Sequence, residues 1–141
     1  MGVAVKRVYD APSTSDGVRV LVDRLWPRGM TKKDGAIKFW LRDLAPSKEL
    51  REWFHANPEA WHFFRKRYLK ELVSPEAGAA LEKLYAAATS GKKLTLLYGS
   101  RNEDHNNAVV LKELLEGERK PPSSVGRARD GRGRIRKSKK Q

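Results

Sequence analysis

Hydrophobic residues cluster or alternate in four short stretches, which predict β-strands at 3–9, 18–25, 39–44 and 93–98. Alternation with a period of two, or a brief apolar run bounded by turn residues, is typical of strands. The second stretch runs into the letters DRLWPRG. An apolar strand is therefore followed at once by a large ring and two permanent cations.

Between the third and fourth strands the apolar period becomes that of a helix. In the segment KELREWFHA the apolar residues fall at i, i+3 and i+4, and Ser47 stands where a helix cap is expected. Residues 57–59 and 74–76 each combine a capping residue, a proline and an acid, which predicts two more helix starts. A last helix, AVVLKELLEG, follows the loop GSRNEDHNN.

This order of elements predicts an α/β fold. We expect a small, mainly parallel sheet of about four strands covered by helices, because apolar strands separated by helical segments favour parallel pairing. We expect one domain at 1–117, followed by a basic tail at 118–141 that is disordered when free.

The charge supports that division. The net charge is +13, and residues 118–141 hold ten Lys/Arg against two acids, a net +8. The tail carries too few apolar residues to offset its ordering entropy. Its Arg-Gly spacing resembles segments that follow nucleic-acid backbones. It can equally be a solubilising tail that binds polyanions weakly.

Composition excludes several classes of function. There are no cysteines, which excludes disulfides, thiol catalysis and cysteine-based zinc sites. No apolar run approaches the roughly 20 residues of a membrane helix, and no secretory leader is expected, so we predict a cytoplasmic protein. No GxGxxG, Walker or GxSxG motif occurs, and no histidine pair has metal-ligand spacing. We therefore predict no cofactor and no metal.

Three loops are predicted to meet where the strands end, at 23–29, 43–47 and 99–107. In open α/β sheets, ligands sit beyond the carboxyl ends of the strands. Arginine forks grip phosphate or carboxylate in a bidentate way, a tryptophan can stack on a flat group, and helix starts bind anions. The predicted ligand-binding residues are Arg24, Trp26, Arg28, Ser47, Arg101, Asn106 and Asn107.

Each of these residues also has a structural interpretation. Arg24 can pair with Asp23 or Asp43 and tie loops together. Trp26 can be a core residue whose indole N–H bonds a carbonyl. Asn106 and Asn107 can be helix caps.

Two residues are candidates for proton transfer. Asp23 starts the first loop, and His105 lies in the third, where an imidazole can act as a general base near neutral pH. His105 can equally be a capping or exposed loop residue. Whether the protein is an enzyme is left open.

The residues resemble one family. VDRLWPRG at 22–29, WLRDLAPS at 40–47, ELREWFH at 49–55 and TLLYGSRNEDHNNAVVL at 95–111 are similar to the YeaO-like family, domain of unknown function 488, over roughly 3–116. The motif positions carried over are Asp23, Arg24, Trp26, Arg28, Pro46, Ser47, Tyr98, Asn107 and Ala108.

The resemblance implies a small α/β domain without an established activity. One branch of the family carries a Cys-His-Arg arrangement in the loop that matches 99–107; this chain has His105 there but no cysteine, so a thiol mechanism is excluded. Our first hypothesis is a binding module for a phosphate-bearing ligand, with nucleic acid as a partner that the tail also contacts. The alternative is a hydrolase or transferase for a phosphorylated or nucleotide-like substrate. A third is an interaction protein whose clustered residues are purely structural.

Overall fold

The computed structural model describes residues 2–118. The predicted basic tail therefore lies outside the described residues, apart from the backbone of its first position. No described helix is long and apolar enough to cross a membrane.

A four-stranded parallel sheet forms the centre of the fold. Its strands are β1 (Val3–Arg7), β2 (Val18–Leu21), β3 (Phe39–Trp40) and β4 (Leu94–Tyr98), in the spatial order β1-β4-β2-β3. All three pairings are parallel. The predicted α/β fold with about four parallel strands is confirmed, and the carboxyl ends of all strands face one edge.

Within the described residues, five α-helices accompany the sheet: α1 (Lys32–Gly35), α2 (Lys48–Ala56), α3 (Trp61–Glu71), α4 (Pro75–Ala88) and α5 (Asn107–Glu118). The predicted caps of α2 and α4 are confirmed. The side chain of Ser47 accepts a hydrogen bond from the Leu50 amide, and that of Ser74 accepts one from Ala77. Pro75 is the first residue of α4, where a missing N–H costs nothing.

Several predicted boundaries were wrong. β1 ends at Arg7 rather than at 9. The strand expected at 39–44 ends at Trp40, because the chain turns at 42–44 and the Leu44 amide bonds the Leu41 carbonyl. β2 ends at Leu21 rather than at 25. The helix expected from Asn57 begins at Trp61. Asn57 instead donates its side-chain amide to the Trp53 carbonyl, so it closes α2.

The two faces of the sheet are packed differently. One face carries Val20, Val22, Leu94 and Leu96, which share a large core with buried residues of α2, α3, α4 and α5. The other carries Leu21 and Leu97, in a small cluster with Val8, Ile37, Trp26, Met30 and Trp40. Loop segments and the single-turn α1 therefore supply the cover on this second face.

Candidate functional site

The three predicted loops do meet at the carboxyl edge of the sheet. Asp23, just after β2, accepts a hydrogen bond from the Gly99 amide at 2.8 Å. Its other oxygen accepts one from the Asn107 side chain at 3.1 Å. Asp23 thus joins the loop after β2 to the loop after β4 and to the start of α5. We call this network, with Arg24 and Ser47 described below, the carboxyl-edge junction.

Arg24 links the junction to the loop before α2. Its Nε donates to the Pro46 carbonyl at 3.3 Å and its Nη2 to the Ala45 carbonyl at 3.4 Å. Both bonds are long, and the side chain is half-buried. The interpretation of Arg24 as a tie between loops is supported, although its partners are carbonyls and not Asp23 or Asp43.

Burial raises the pKa of the Asp23 carboxyl above its ordinary value. The hydrogen bonds from Gly99 and Asn107 and the charge of Arg51 pull this pKa down, without outweighing burial. Asn107 also donates to the Val22 carbonyl at 2.9 Å. Both carboxyl oxygens of Asp23 are engaged by the fold itself.

Sequence reasoning missed Tyr68 as part of this region. Its ring is fully buried, and its hydroxyl donates to the Leu44 carbonyl. Burial raises the pKa of this phenol well above its ordinary value, and the negative charges of Asp23 and Glu71 add to the shift. The only sequence signal was its place on the apolar stripe of α3, which predicts core residues and not contacts with a loop.

Two more predicted ligand-binding residues are engaged within the chain. Ser47 donates through its amide and its hydroxyl to Glu71, at 2.8 and 2.7 Å. Asn106, 3% exposed, accepts from the Val109 amide and donates to the Asn102 carbonyl. Their side chains hold helix starts in place, as the capping interpretation predicted.

Trp26 packs on the second face of the sheet. Its indole N–H donates to the Met30 carbonyl at 2.6 Å, and its ring meets Trp40 edge-on with centroids 5.2 Å apart. The structural interpretation of Trp26 is supported, because its half-buried ring packs on the small cluster and its indole N–H bonds a carbonyl. Arg28 is exposed, and only its carbonyl is bonded, by the Tyr9 hydroxyl at 3.3 Å. The three large side chains of the DRLWPRG loop, Arg24, Trp26 and Arg28, therefore lie in three different surroundings.

The candidates in the third loop are also separated. His105 stacks on Trp61 of α3, with centroids 4.5 Å apart and planes 13° from parallel. Its amide donates to the Asn102 side chain at 3.0 Å. Arg101 is exposed. His105 thus packs α3 against the loop, and Arg101 and Arg28 are the predicted ligand-binding residues at this edge that remain open to solvent.

A groove of about 620 Å³ opens beside the junction, but its charge is mixed. Arg24 and Lys70 face three carboxylates in its lining, Asp43, Glu71 and Glu76. A ligand with two negative charges gains little there. Within residues 2–118 no group of His, Asp and Glu side chains is arranged to hold a metal ion.

A second groove, of about 790 Å³, opens at the opposite edge, where the strands begin. Five of its nine lining residues are cations, and no acid is among them. We call it the amino-edge groove; its lining consists of Gly17, Val18, Arg19, Lys32, Lys33, Ala36, Ile37, Lys38 and Lys92.

The sheet topology assembles this groove from three distant segments. β4 lies between β1 and β2, so Lys92 and Lys93 come beside Gly17 and Val18, whose amide bonds the Lys93 carbonyl at 2.8 Å. Gly17 has a φ of 67°, and a Cβ there would collide with that carbonyl. The sequence signal was the pair of Lys-Lys steps at 32–33 and 92–93, which spacing alone does not connect.

Arg19 is the buried cation of the amino-edge groove. It is 3% exposed; its Nε donates to the Gly35 carbonyl at 2.8 Å and its Nη1 to Asp16 at 2.7 Å. Among the described residues its third nitrogen, Nη2, has no hydrogen-bond partner. A buried donor without a partner costs about 1–3 kcal/mol.

Asp16 holds the guanidinium of Arg19 in place through the hydrogen bond from Nη1. It is 6% exposed and also accepts from the Lys6 ammonium at 3.0 Å. Burial raises the pKa of Asp16, but hydrogen bonds from the Ser13 amide, Lys6 and Arg19 outweigh it, so the pKa lies below its ordinary value. Asp16 is therefore ionised at neutral pH and balances one of the groove's cations.

The parallel sheet and the loops joined at its carboxyl edge define a small α/β domain. The family model described as the inactive DUF488-N3 subclade matches residues 2–128. The chain is 44% identical over 115 residues to the uncharacterised protein YeaO of Escherichia coli K12, which covers 82% of this chain and 97% of YeaO. It therefore belongs to the YeaO-like DUF488 family, as its motifs predicted.

Relatives outside the enterobacteria are equally similar. An uncharacterised protein of Mycobacterium tuberculosis H37Rv is 44% identical over 115 residues, covering 82% of this chain and 94% of that protein. The family match extends to residue 128, past the boundary predicted at 117. No solved structure matches the chain significantly.

Proposed function

We propose that this protein is a binding module for a phosphate-bearing ligand, and for nucleic acid in particular, and that it binds through the amino-edge groove. The observation that carries the proposal is the lining of that groove, five cations without an acid. Lysines and arginines that neutralise phosphates release counterions, and this release supplies most of non-specific nucleic-acid affinity.

The lysines of the groove are available for such contacts. Lys32, Lys33, Lys38 and Lys92 are exposed, and none of them forms an ion pair with another residue of the described part of the chain. By contrast, Arg65 of α3 and Lys112 of α5 are each paired with a glutamate. The groove thus concentrates four lysines that no described carboxylate neutralises, beside Arg19, whose charge Asp16 balances.

The carboxyl edge is the other candidate surface for the ligand. Arg28 and Arg101 are exposed there, and the sequence predicts that they bind an anion together with Arg24. Phosphate binding is less favourable there than in the amino-edge groove, because three carboxylates line the adjacent groove. Trp26 is also engaged with Met30 and Trp40 and is not free to stack on a ligand. The tail at 118–141, with its net +8, would add salt-sensitive affinity on any nucleic acid.

Catalysis is the alternative. It is favoured by one observation, the raised pKa of the buried Asp23 carboxyl, which is a frequent property of proton-transfer residues. Two observations favour binding instead. Both oxygens of Asp23 hold the loop junction together, and the matched subclade is described as inactive. In this proposal the module acts in the cytoplasm, as the sequence predicts.

The proposal is tested by titrating a fluorescent single-stranded DNA with the full chain at low and physiological salt. Changing Lys32 and Lys38 to Gln removes two phosphate contacts. The slope of log K against log salt should then flatten by about 1.4, at about 0.7 per contact on a single strand. The matched control changes Lys48 and Lys83, two exposed lysines outside the groove, to Gln.

Two further proteins separate the possible surfaces, a chain ending at Gly117 and the full chain with Arg24 and Arg28 changed to Ala. If affinity disappears with the tail and the groove variant binds like the control, the groove is not the site. If only the arginine pair matters, the ligand binds at the carboxyl edge as the sequence predicted.

A further inference from the structure

The amino-edge groove contains one donor of a different kind from its lysines. Arg19 is only 3% exposed, and two hydrogen bonds fix its guanidinium, from Nε to the Gly35 carbonyl and from Nη1 to Asp16. Nη2 is the one side-chain nitrogen or oxygen in the described residues that is buried without a partner. A fixed, desolvated donor in the wall of a cationic groove is suited to an anionic oxygen.

We propose that Arg19 makes this groove a subsite for a terminal phosphate monoester, the end group of a nucleic-acid strand or of a nucleotide. The proposal rests on the proposed function, since it names the group that the groove recognises. Lysines alone would follow any phosphate backbone, whereas a planar guanidinium held in one orientation discriminates between phosphate geometries.

The charge and the number of terminal oxygens favour a phosphomonoester over an internal phosphodiester as the ligand of this groove. A phosphomonoester has three terminal oxygens and a charge of about −1.5 to −2 at pH 7. It can therefore accept a hydrogen bond from Nη2 and contact lysines of the groove at the same time. An internal phosphodiester has two terminal oxygens and one charge, and both of its ester arms would have to run through the groove. Because Arg19 is 3% exposed and its Nη2 is buried, a phosphate reaches this nitrogen only end-on, once neighbouring side chains of the groove move aside.

The groove also has room for what the phosphate is attached to. Its volume of about 790 Å³ lies within the roughly 300–1,000 Å³ of small-ligand sites. Val18, Ala36 and Ile37 give it an apolar part beside the cations. A nucleotide unit behind the phosphate would therefore contact both surfaces.

Asp16 is a positioning residue in this arrangement. It holds Nη1 at 2.7 Å, and Lys6 at 3.0 Å shares its charge. Gly35 holds Nε from the end of α1, the helix that also supplies Lys32 and Lys33. The buried arginine and two rim lysines are thus tied to one structural unit.

The test uses the full chain and two single-stranded DNAs of one sequence, one with a 5′-phosphate and one with a 5′-hydroxyl. We expect the phosphorylated strand to bind about five- to tenfold tighter at physiological salt. Arg19→Lys keeps a charge beside Asp16 but removes Nη2, and should reduce the preference to less than twofold. Arg65→Lys, an arginine in an ion pair on the helical side, should keep it.

A second measurement does not depend on how well an Arg19 variant folds. In the unaltered protein, the side-chain Nε–H signal of Arg19 is followed by NMR while inorganic phosphate, and then a 5′-mononucleotide, is added. We expect a saturable shift of that signal with both probes. A signal that stays in place with both, or equal binding of the two strands, overturns the subsite.

The outcomes separate the two proposals. Strands that bind equally, with a salt slope that still depends on Lys32 and Lys38, would leave nucleic-acid binding standing and remove the phosphate subsite. A shift of Arg19 by the mononucleotide with no binding of either strand would keep the subsite, assign it to free nucleotides, and remove the nucleic-acid function.

Discussion

The two ends of the sheet use their polar groups in opposite ways. At the carboxyl edge, Asp23, Ser47 and Asn107 are all bonded to other parts of the chain. At the amino edge, one arginine nitrogen and four lysines have no such partner among the described residues. Polar loop residues of the kinds that bind ligands can instead form hydrogen bonds that join loops. The cationic groove at the other edge stays open to a ligand.

Each end is organised by one aspartate, and the two carboxyl groups are shifted in opposite directions. Burial dominates at Asp23 and raises its pKa, whereas hydrogen bonds from Ser13, Lys6 and Arg19 prevail at Asp16 and lower its pKa. The first carboxyl mainly accepts from neutral amides and the second mainly from cations. This difference gives the predictions below, which begin with the largest effect.

Asp16→Asn should have the largest effect on stability. It leaves Arg19 buried with an uncompensated charge, and breaking a buried pair typically costs about 3–5 kcal/mol. Chemical denaturation at pH 7 measures the loss in the free energy of unfolding. Asp34→Asn, an exposed aspartate of the nearby α1, is the control and should cost less than about 1 kcal/mol. Equal losses for the two variants would contradict the account of Asp16.

Asp23→Ala should be the next largest. It removes the acceptor of the Gly99 amide and of the Asn107 side chain, and each buried donor left without a partner costs about 1–3 kcal/mol. We expect a total loss of about 2–4 kcal/mol in the free energy of unfolding. Asp43→Asn, an exposed aspartate at the same edge, should be nearly neutral. A neutral Asp23→Ala would show that the junction does not hold the loops.

The pH dependence of these two losses should have opposite signs. The lowered pKa of Asp16 gives stability that is present above the ordinary value of 3.8 and lost as pH falls further, so the cost of Asp16→Asn should shrink towards pH 3. The raised pKa of Asp23 means that ionisation costs stability as pH rises through the folded-state pKa, so the cost of Asp23→Ala should grow towards acid pH. Parallel trends in denaturation at pH 7, 5 and 3 would contradict the opposite shifts.

Trp26→Phe should have the smallest effect on stability. It removes the indole bond to Met30 and keeps a ring beside Trp40, which costs about 1 kcal/mol. Since Trp26 is engaged on the second face of the sheet, affinity for single-stranded DNA should not change. A tenfold loss of affinity with intact folding would instead make Trp26 a stacking residue, as the sequence first indicated.

The sequence was sufficient for the class of fold and for the meeting of the loops. Apolar strands and helical stripes depend on local periodicity, and in a parallel sheet the carboxyl ends share an edge. Ser47 and Ser74 were also readable as caps, because a cap acts within three residues. Asn57 was misread, since its side chain closes the preceding helix and does not open the next one.

The partners of long polar side chains were not readable from the sequence. The structural interpretation of Arg24 paired it with Asp23 or Asp43, and it instead donates to the carbonyls of Ala45 and Pro46. The amino-edge groove was missed for the same reason. Lys92 lies more than 70 positions from Arg19, and only the placement of β4 beside β2 brings them together. Long-range topology and not local pattern decides which cations share a groove.

The most direct test of the central claim compares the two ends in one binding experiment. Single-stranded DNA is titrated with the full chain carrying either Lys32→Gln with Lys38→Gln or Arg24→Ala with Arg28→Ala, each at two salt concentrations. The account predicts that the lysine pair flattens the salt slope and weakens binding at least fivefold, while the arginine pair changes affinity by less than twofold. The reverse order would place the binding site at the DRLWPRG loop and contradict the account.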